Sequence, residues 1–188
     1  MNIETTRRQP VARLSREFFV ILIGTALLTL SAKVAVPFYP VPMSTQTLVV
    51  LSLGLFLGPV RSGLVVTAYL LQGMFGLPVF AGTPPAPAGL AYIMGPTGGF
   101  LIGFVLAAGA AGWVVQMLGR VGPALCATVA VLFGSILMYG TGLLWLGGFV
   151  GYGQDLLSAG LYPFLLADLT KAAIAVLLFT GFRNRCAM

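Results

Sequence analysis

The chain has 188 residues, 59% of them hydrophobic and only 7% charged, whereas a soluble domain carries roughly 25% charged residues. Such a composition, with a mean hydropathy of +1.02, cannot clothe a water-facing surface and marks an integral membrane protein. The formal charge of +6 collects at the two ends and in two short connections, which is the pattern of membrane orientation rather than of a nucleic-acid face.

Arg7, Arg8, Arg13 and Arg16 precede the first apolar run, so residues 1–16 read as a basic cytoplasmic N-terminus. That run is too long for a signal-peptide core, and no small-residue cleavage site closes it. It covers about 17–36 and stops at Pro37. Further spans follow at about 44–58, 63–76, 97–118, 123–147 and 163–182, leaving 183–188 as a tail with Arg183 and Arg185. The second and third are short for a bilayer core of ~30 Å, which takes about 20 helical residues. The expectation is one all-α membrane domain over 1–188, a six-transmembrane-helix bundle occupying 17–182.

The connections sort by charge. Links 2–3 and 4–5 carry Arg61 and Arg120; links 1–2, 3–4 and 5–6 carry no lysine or arginine. Six spans therefore put every extramembrane cation on one side, and the positive-inside rule makes that side, with both termini, cytoplasmic. Two outer links, PFYPVPMSTQ and LPVFAGTPPAPAGLAYIMGPTGG, are rich in proline and glycine yet interleaved with Phe38, Tyr39, Phe80 and Tyr92. Irregular backbone at membrane depth survives only where it is buried or lines a cavity, so these links are expected to cap a ligand pocket.

No phosphate-cradling GxxxxGK(S/T) loop occurs, so the chain is not expected to use ATP itself. Histidine is absent, and Cys126 and Cys186 are too few for a metal site. Cys126 reads as a small core residue of a helix.

Asp168 and Lys171 stand inside LYPFLLADLTKAAIAVLLF, a segment otherwise greasy enough to cross a bilayer. Proline suits a first helical turn, so the last helix is expected to start near Pro163. Asp168 then lies roughly 7–8 Å below the outer end and Lys171 about 12 Å below it. Residues three apart share a helix face, and each charge near the bilayer centre costs on the order of 2.5–3.5 kcal/mol. Three uses remain open: a salt bridge that ties helices together, with Lys33 as a third member or snorkelling to the interface; a proton or sodium relay; or an outward-facing ligand site. Carboxylate and ammonium together suit a ligand presenting N–H and C=O or carboxylate groups. Phe38, Phe80, Tyr92 and Tyr162 offer aromatic walls, and Gln46 an amide. Lys171, Asp168 and Gln46 compose no nucleophile, base and oxyanion set, so no enzyme is expected.

Four stretches, PVPMSTQTLVVLSLGLFLGP at 40–59, YLLQGMFGLPVFAG at 69–82, GPTGGFLIGF at 95–104 and PFLLADLTK at 163–171, resemble the BioY family, the substrate-binding S components of energy-coupling-factor biotin transporters. The resemblance covers almost the whole chain in order. It implies a biotin pocket near the outer end, a lid made by the outer links, and Asp168 and Lys171 as the polar pair that grips the ligand. Where the family uses a polar side chain after the PVF stretch, this chain offers Thr83 and lacks an asparagine. The resemblance also implies partners: a transmembrane coupling subunit and two cytoplasmic ATPase subunits that bind the ATP. Small residues permit close helix approach, and Thr25, Thr29, Ser31 and Ala35 in the first span are candidates for meeting the coupling subunit. The implied function is high-affinity biotin uptake across the plasma (inner) membrane without cofactor; the alternatives are an S component for another vitamin or a proton-coupled carrier.

Overall fold

A computed structural model of the chain describes residues 4–82 and 89–186. Eight helices occur among them: α1 (Glu4–Lys33), α2 (Gln46–Leu57), α3 (Pro59–Met74), α4 (Leu90–Ile93), α5 (Gly98–Met117), α6 (Pro123–Val150), α7 (Gln154–Gly160) and α8 (Tyr162–Cys186). Helices satisfy their backbone polar groups internally, as a bilayer demands. Four segments, Arg13–Lys33, Gly98–Met117, Pro123–Val150 and Gln154–Arg185, are long and apolar enough to cross a membrane. The expected second and third spans are helical but short; α2 has 12 residues and α3 has 16, or about 18 and 24 Å.

Three expectations about the connections need correction. Arg61 does not lie in a loop: Gly58 alone makes the turn, at φ 77°, and α3 starts at once with Pro59, whose fixed φ suits a first helical position. Link 1–2 is not wholly irregular, because β1 (Ala35–Val36) and β2 (Met43–Ser44) form a small antiparallel ladder with Ala35 opposite Ser44. Link 5–6 folds mostly into α7. The first helix also reaches back through the basic segment to Glu4.

The core forms around α5, whose Ala107, Ala108 and Ala111 are completely buried. Small residues let backbones meet there, the packing mode available where lipid removes the hydrophobic drive between helices. A Cβ added at Gly112 would sit 2.5 Å from the backbone of Gly58 and Pro59; one at Gly54 would sit 2.6 Å from the Ala108 carbonyl oxygen. Outside this core, Phe18, Ile23, Leu106, Trp113, Ile136, Leu166 and Leu177 are exposed, a greasy exterior suited to hydrocarbon rather than water.

Contacts between helix ends define two poles. At one, the Arg61 guanidinium donates through Nε to Glu17 at 2.9 and 3.1 Å, tying α3 to α1, and Phe56 of α2 meets Phe182 of α8. At the other, Lys33 Nζ donates to the Phe80 carbonyl at 2.8 Å, Thr45 Oγ1 to the Ser31 carbonyl at 2.9 Å, and Trp145 Nε1 to the Gly95 carbonyl at 2.9 Å. The helix bundle carries the candidate site toward this second pole.

Of the small residues offered to a partner, Thr29 and Ala35 are half-buried, Ala35 in β1 rather than α1. Thr25 and Ser31 are buried. Gln72 Nε2 of α3 donates to Thr25 Oγ1 at 3.3 Å, and Gly24 abuts Val65.

Candidate functional site

Helix α8 holds Asp168 and Lys171 on one face, and their side chains meet directly, Lys171 Nζ donating to Asp168 Oδ1 at 2.7 Å. Both are largely withdrawn from solvent, with side-chain exposures of 9% for Asp168 and 14% for Lys171. Two neighbouring elements fix the pair. The Tyr139 hydroxyl of α6 donates to Asp168 Oδ2 at 2.6 Å, and Lys171 Nζ donates a second time, to the Ser44 carbonyl, at 2.7 Å. The β1–β2 ladder explains why that carbonyl stays in place. It is reinforced by the Thr45 amide, which donates to the Val34 carbonyl at 3.1 Å.

Counting hydrogen-bond capacity shows what is left over. An ammonium has three donors and a carboxylate about four acceptor positions. Among the described residues, two donors and two acceptor positions are engaged. One N–H and one further acceptor position on each carboxylate oxygen are therefore available to a third party.

The pair faces a cavity that is partly open to the outside. Ser44, Gln46, Asp168, Lys171 and Tyr139 give it a polar wall, while Val41, Phe100, Phe104, Met138 and Phe164 make the rest apolar. Phe38 lies outside the lining and supports Phe164 edge-on, with centroids 5.8 Å apart. Tyr92 lines the cavity; burial pushes its phenol above the ordinary tyrosine range, while hydrogen bonds with the Thr97 side chain and the Gly82 backbone pull the other way. It is a neutral phenol at any physiological pH.

Of the residues singled out in the sequence, Asp168, Lys171, Gln46 and Tyr92 come together around this cavity. Gln46 is already engaged: its Nε2 donates to the Tyr69 hydroxyl at 2.8 Å, its Oε1 accepts from Ser44 Oγ at 3.1 Å, and Tyr69 donates onward to the Val79 carbonyl at 3.0 Å. Phe80 stands one layer behind the wall, stacked on Tyr92 with centroids 4.9 Å apart and set edge-on to Tyr69 at 5.5 Å. It supports the lining rather than forming it. Tyr162 is 55% exposed and lies outside the lining. Lys33 does not extend the Asp168–Lys171 pair; its bond to the Phe80 carbonyl tethers the third link to α1. Thr83 lies outside the described residues.

Sequence reasoning missed Tyr139, Ser44, Phe100, Phe104 and Phe164. Tyr139 had a visible signal, since it is the only tyrosine of the 123–147 segment, and a phenol inside a membrane helix needs a partner. Ser44 acts through its main chain as well as its hydroxyl, and residue type alone does not reveal a carbonyl's role.

Chemically, the arrangement joins a polar wall that both donates and accepts to an apolar remainder. That combination suits a small molecule with an amide-like end and a hydrocarbon body.

Residues 4–187 match the BioY family. Similar chains include the probable biotin transporter BioY of Pyrococcus horikoshii, 35% identical over 87% of this chain and 94% of that one. The biotin transporter BioY of Thermotoga maritima is 34% identical over 83% and 89% of the two chains, and that of Rhodobacter capsulatus is 37% identical over 82% and 87%. Among solved structures, the crystal structure of the S-component for biotin from an ECF-type ABC transporter superimposes with a TM-score of 0.76 at 25% identity. The match covers 98% of this chain and 95% of the other.

Proposed function

The chain belongs to the BioY family, and from that premise we propose that it is the biotin-binding S component of an ECF-type uptake transporter. Biotin's ureido ring carries two N–H donors and a carbonyl, its thiophane is apolar, and its valerate ends in a carboxylate. Asp168 accepts from a ureido N–H, and Lys171 donates its remaining N–H to the ureido oxygen or the valerate. Phe100, Phe104, Phe164 and Tyr92 enclose the thiophane and the chain. The observation that carries this reading is the spare hydrogen-bonding capacity of a nearly buried ion pair that faces a mostly apolar cavity. A pair kept only to tie helices would gain nothing from facing open space.

The protein is a transporter subunit and performs no chemistry on its ligand. Its one membrane domain crosses the plasma membrane six times, with α2 and α3 as short crossings. Both termini are cytoplasmic, because Arg61, Arg120, Arg183 and the N-terminal arginines then share one side. The third and first links close over the pocket from outside. ATP is bound by two partner ATPase subunits, and a coupling subunit meets α1, whose Phe18, Leu22 and Ile23 are exposed and whose Thr29 is half-buried.

Calorimetric titration of the purified chain with biotin in detergent tests this reading. Tight, saturable binding without any imposed gradient is expected, strongly reduced in Asp168→Asn. A chain that ignores biotin but moves a solute in response to a pH gradient would instead be a proton-coupled carrier, and tight binding of a different vitamin would reassign the ligand.

A further inference from the structure

Tyr139 is the only contact that α6 makes with the charged pair by hydrogen bond among the described residues, and its geometry is specific. Its hydroxyl lies 2.6 Å from Asp168 Oδ2, on the oxygen that Lys171 leaves free. The ring is held edge-on by Phe100 of α5, with centroids 6.3 Å apart, and two residues further on Thr141 is anchored to its own helix. A carboxylate at the end of a short side chain can rotate about its last bond. With an ammonium on one oxygen and a phenol on the other, that rotation is stopped, and the remaining lone pairs aim in fixed directions.

We propose that Tyr139 is a positioning residue for biotin: by occupying Oδ2 it orients the Asp168 carboxylate so that an outward lone pair meets a ureido N–H. The inference rests on the biotin reading above. The groups around the carboxylate divide the work by element. Lys171 of α8 neutralises it, Ser44 of β2 holds Lys171, and Tyr139 of α6 sets its plane. Preorganisation of this kind raises affinity by removing the cost of ordering the acceptor when the ligand arrives. The phenol also keeps a neutral donor beside the carboxylate, so the site remains able to take a neutral ureido ring without a second cation.

A double-mutant cycle tests it. Biotin affinity is measured for the parent chain, Tyr139→Phe, Asp168→Asn and the double variant, each shown to be folded by its melting temperature in detergent. The phenylalanine retains the ring against Phe100 and removes only the hydroxyl. If Tyr139 acts through Asp168, Tyr139→Phe weakens biotin by on the order of ten-fold or more in the parent. In the Asp168→Asn background the same change costs no more than about two-fold. A general structural role would give the same loss in both backgrounds, which overturns the proposal, as does unchanged affinity in Tyr139→Phe. The premise fails separately, through an Asp168→Asn chain that binds biotin like the parent. Where Asp168→Asn binds too weakly to measure, the cycle is closed on the ligand. In the two cyclic carbamates, each with one ureido N–H replaced by a ring oxygen, the analogue missing the critical N–H loses its sensitivity to Tyr139→Phe. Equal sensitivity of biotin and both carbamates contradicts the assignment.

Discussion

Lys171 and Asp168 neutralise each other in a setting where removing either leaves a nearly buried charge. For a fully buried pair that removal costs about 3–5 kcal/mol; the residual exposure of both side chains places this pair below that range. Lys171→Met is therefore expected to lower the melting temperature in detergent as well as biotin affinity, and a chain that melts like the parent would show that water already solvates the carboxylate. The two roles of this pair were legible to different degrees. Spacing alone puts an i,i+3 acid and base on one helix face, so their mutual contact could be read from residue order. Their partners could not, because Tyr139 is 29 residues away and Ser44 is 127 residues away. Which helix turns toward which is decided by packing. Gln46 was visible as a polar residue at a helix start, but its amide serves the Tyr69–Val79 connection as well as the cavity wall.

Glycines set how closely helices α2, α3 and α5 approach their neighbours. Gly73 of α3 lies under the Phe80 ring, and a Cβ there would overlap its outer carbons. Gly73→Ala is expected to displace that ring, disturb the Tyr92 stack and weaken biotin several-fold, although residue 73 never reaches the cavity. Titration of that variant checks it; full affinity would mean that the Phe80 layer moves independently of the lining. Gly112→Ala should act differently. Its Cβ would meet main-chain atoms of Gly58 and Pro59 at 2.5 Å, which cannot rotate away, so overpacking of about 1–3 kcal/mol is expected as a lower melting temperature. The positions of the helices were readable from hydropathy, and the start of the last from Pro163. The shortness of the α2–α3 turn was not, because an arginine at 61 reads as loop when charge alone is weighed. It stands instead on the first turn of α3, reaching back to Glu17 of α1. The β1–β2 ladder escaped notice for a related reason: two residues per strand leave no periodicity to detect.

For the molecule as a whole, the two poles seen in the structure and the arginine distribution make one topological prediction. In a chain whose native cysteines have been replaced through Cys126→Ala and Cys186→Ser, Tyr152→Cys should react with a membrane-impermeant maleimide added to intact cells. Arg120→Cys should react only after the membrane is opened. Labelling of both from outside would break the six-crossing arrangement. The wider claim is that an acid and an amine persist in this greasy interior for the sake of a guest rather than for the bundle. The most direct measurement replaces both at once, in Asp168→Leu/Lys171→Met, and follows melting temperature and biotin affinity together. Swapping an internal ion pair for apolar groups of similar size is often neutral or stabilising, so the variant should melt at or above the parent's temperature. It should also bind biotin at least about 100-fold more weakly, as the loss of two charge-assisted hydrogen bonds implies. Parental affinity in that double variant would contradict the account.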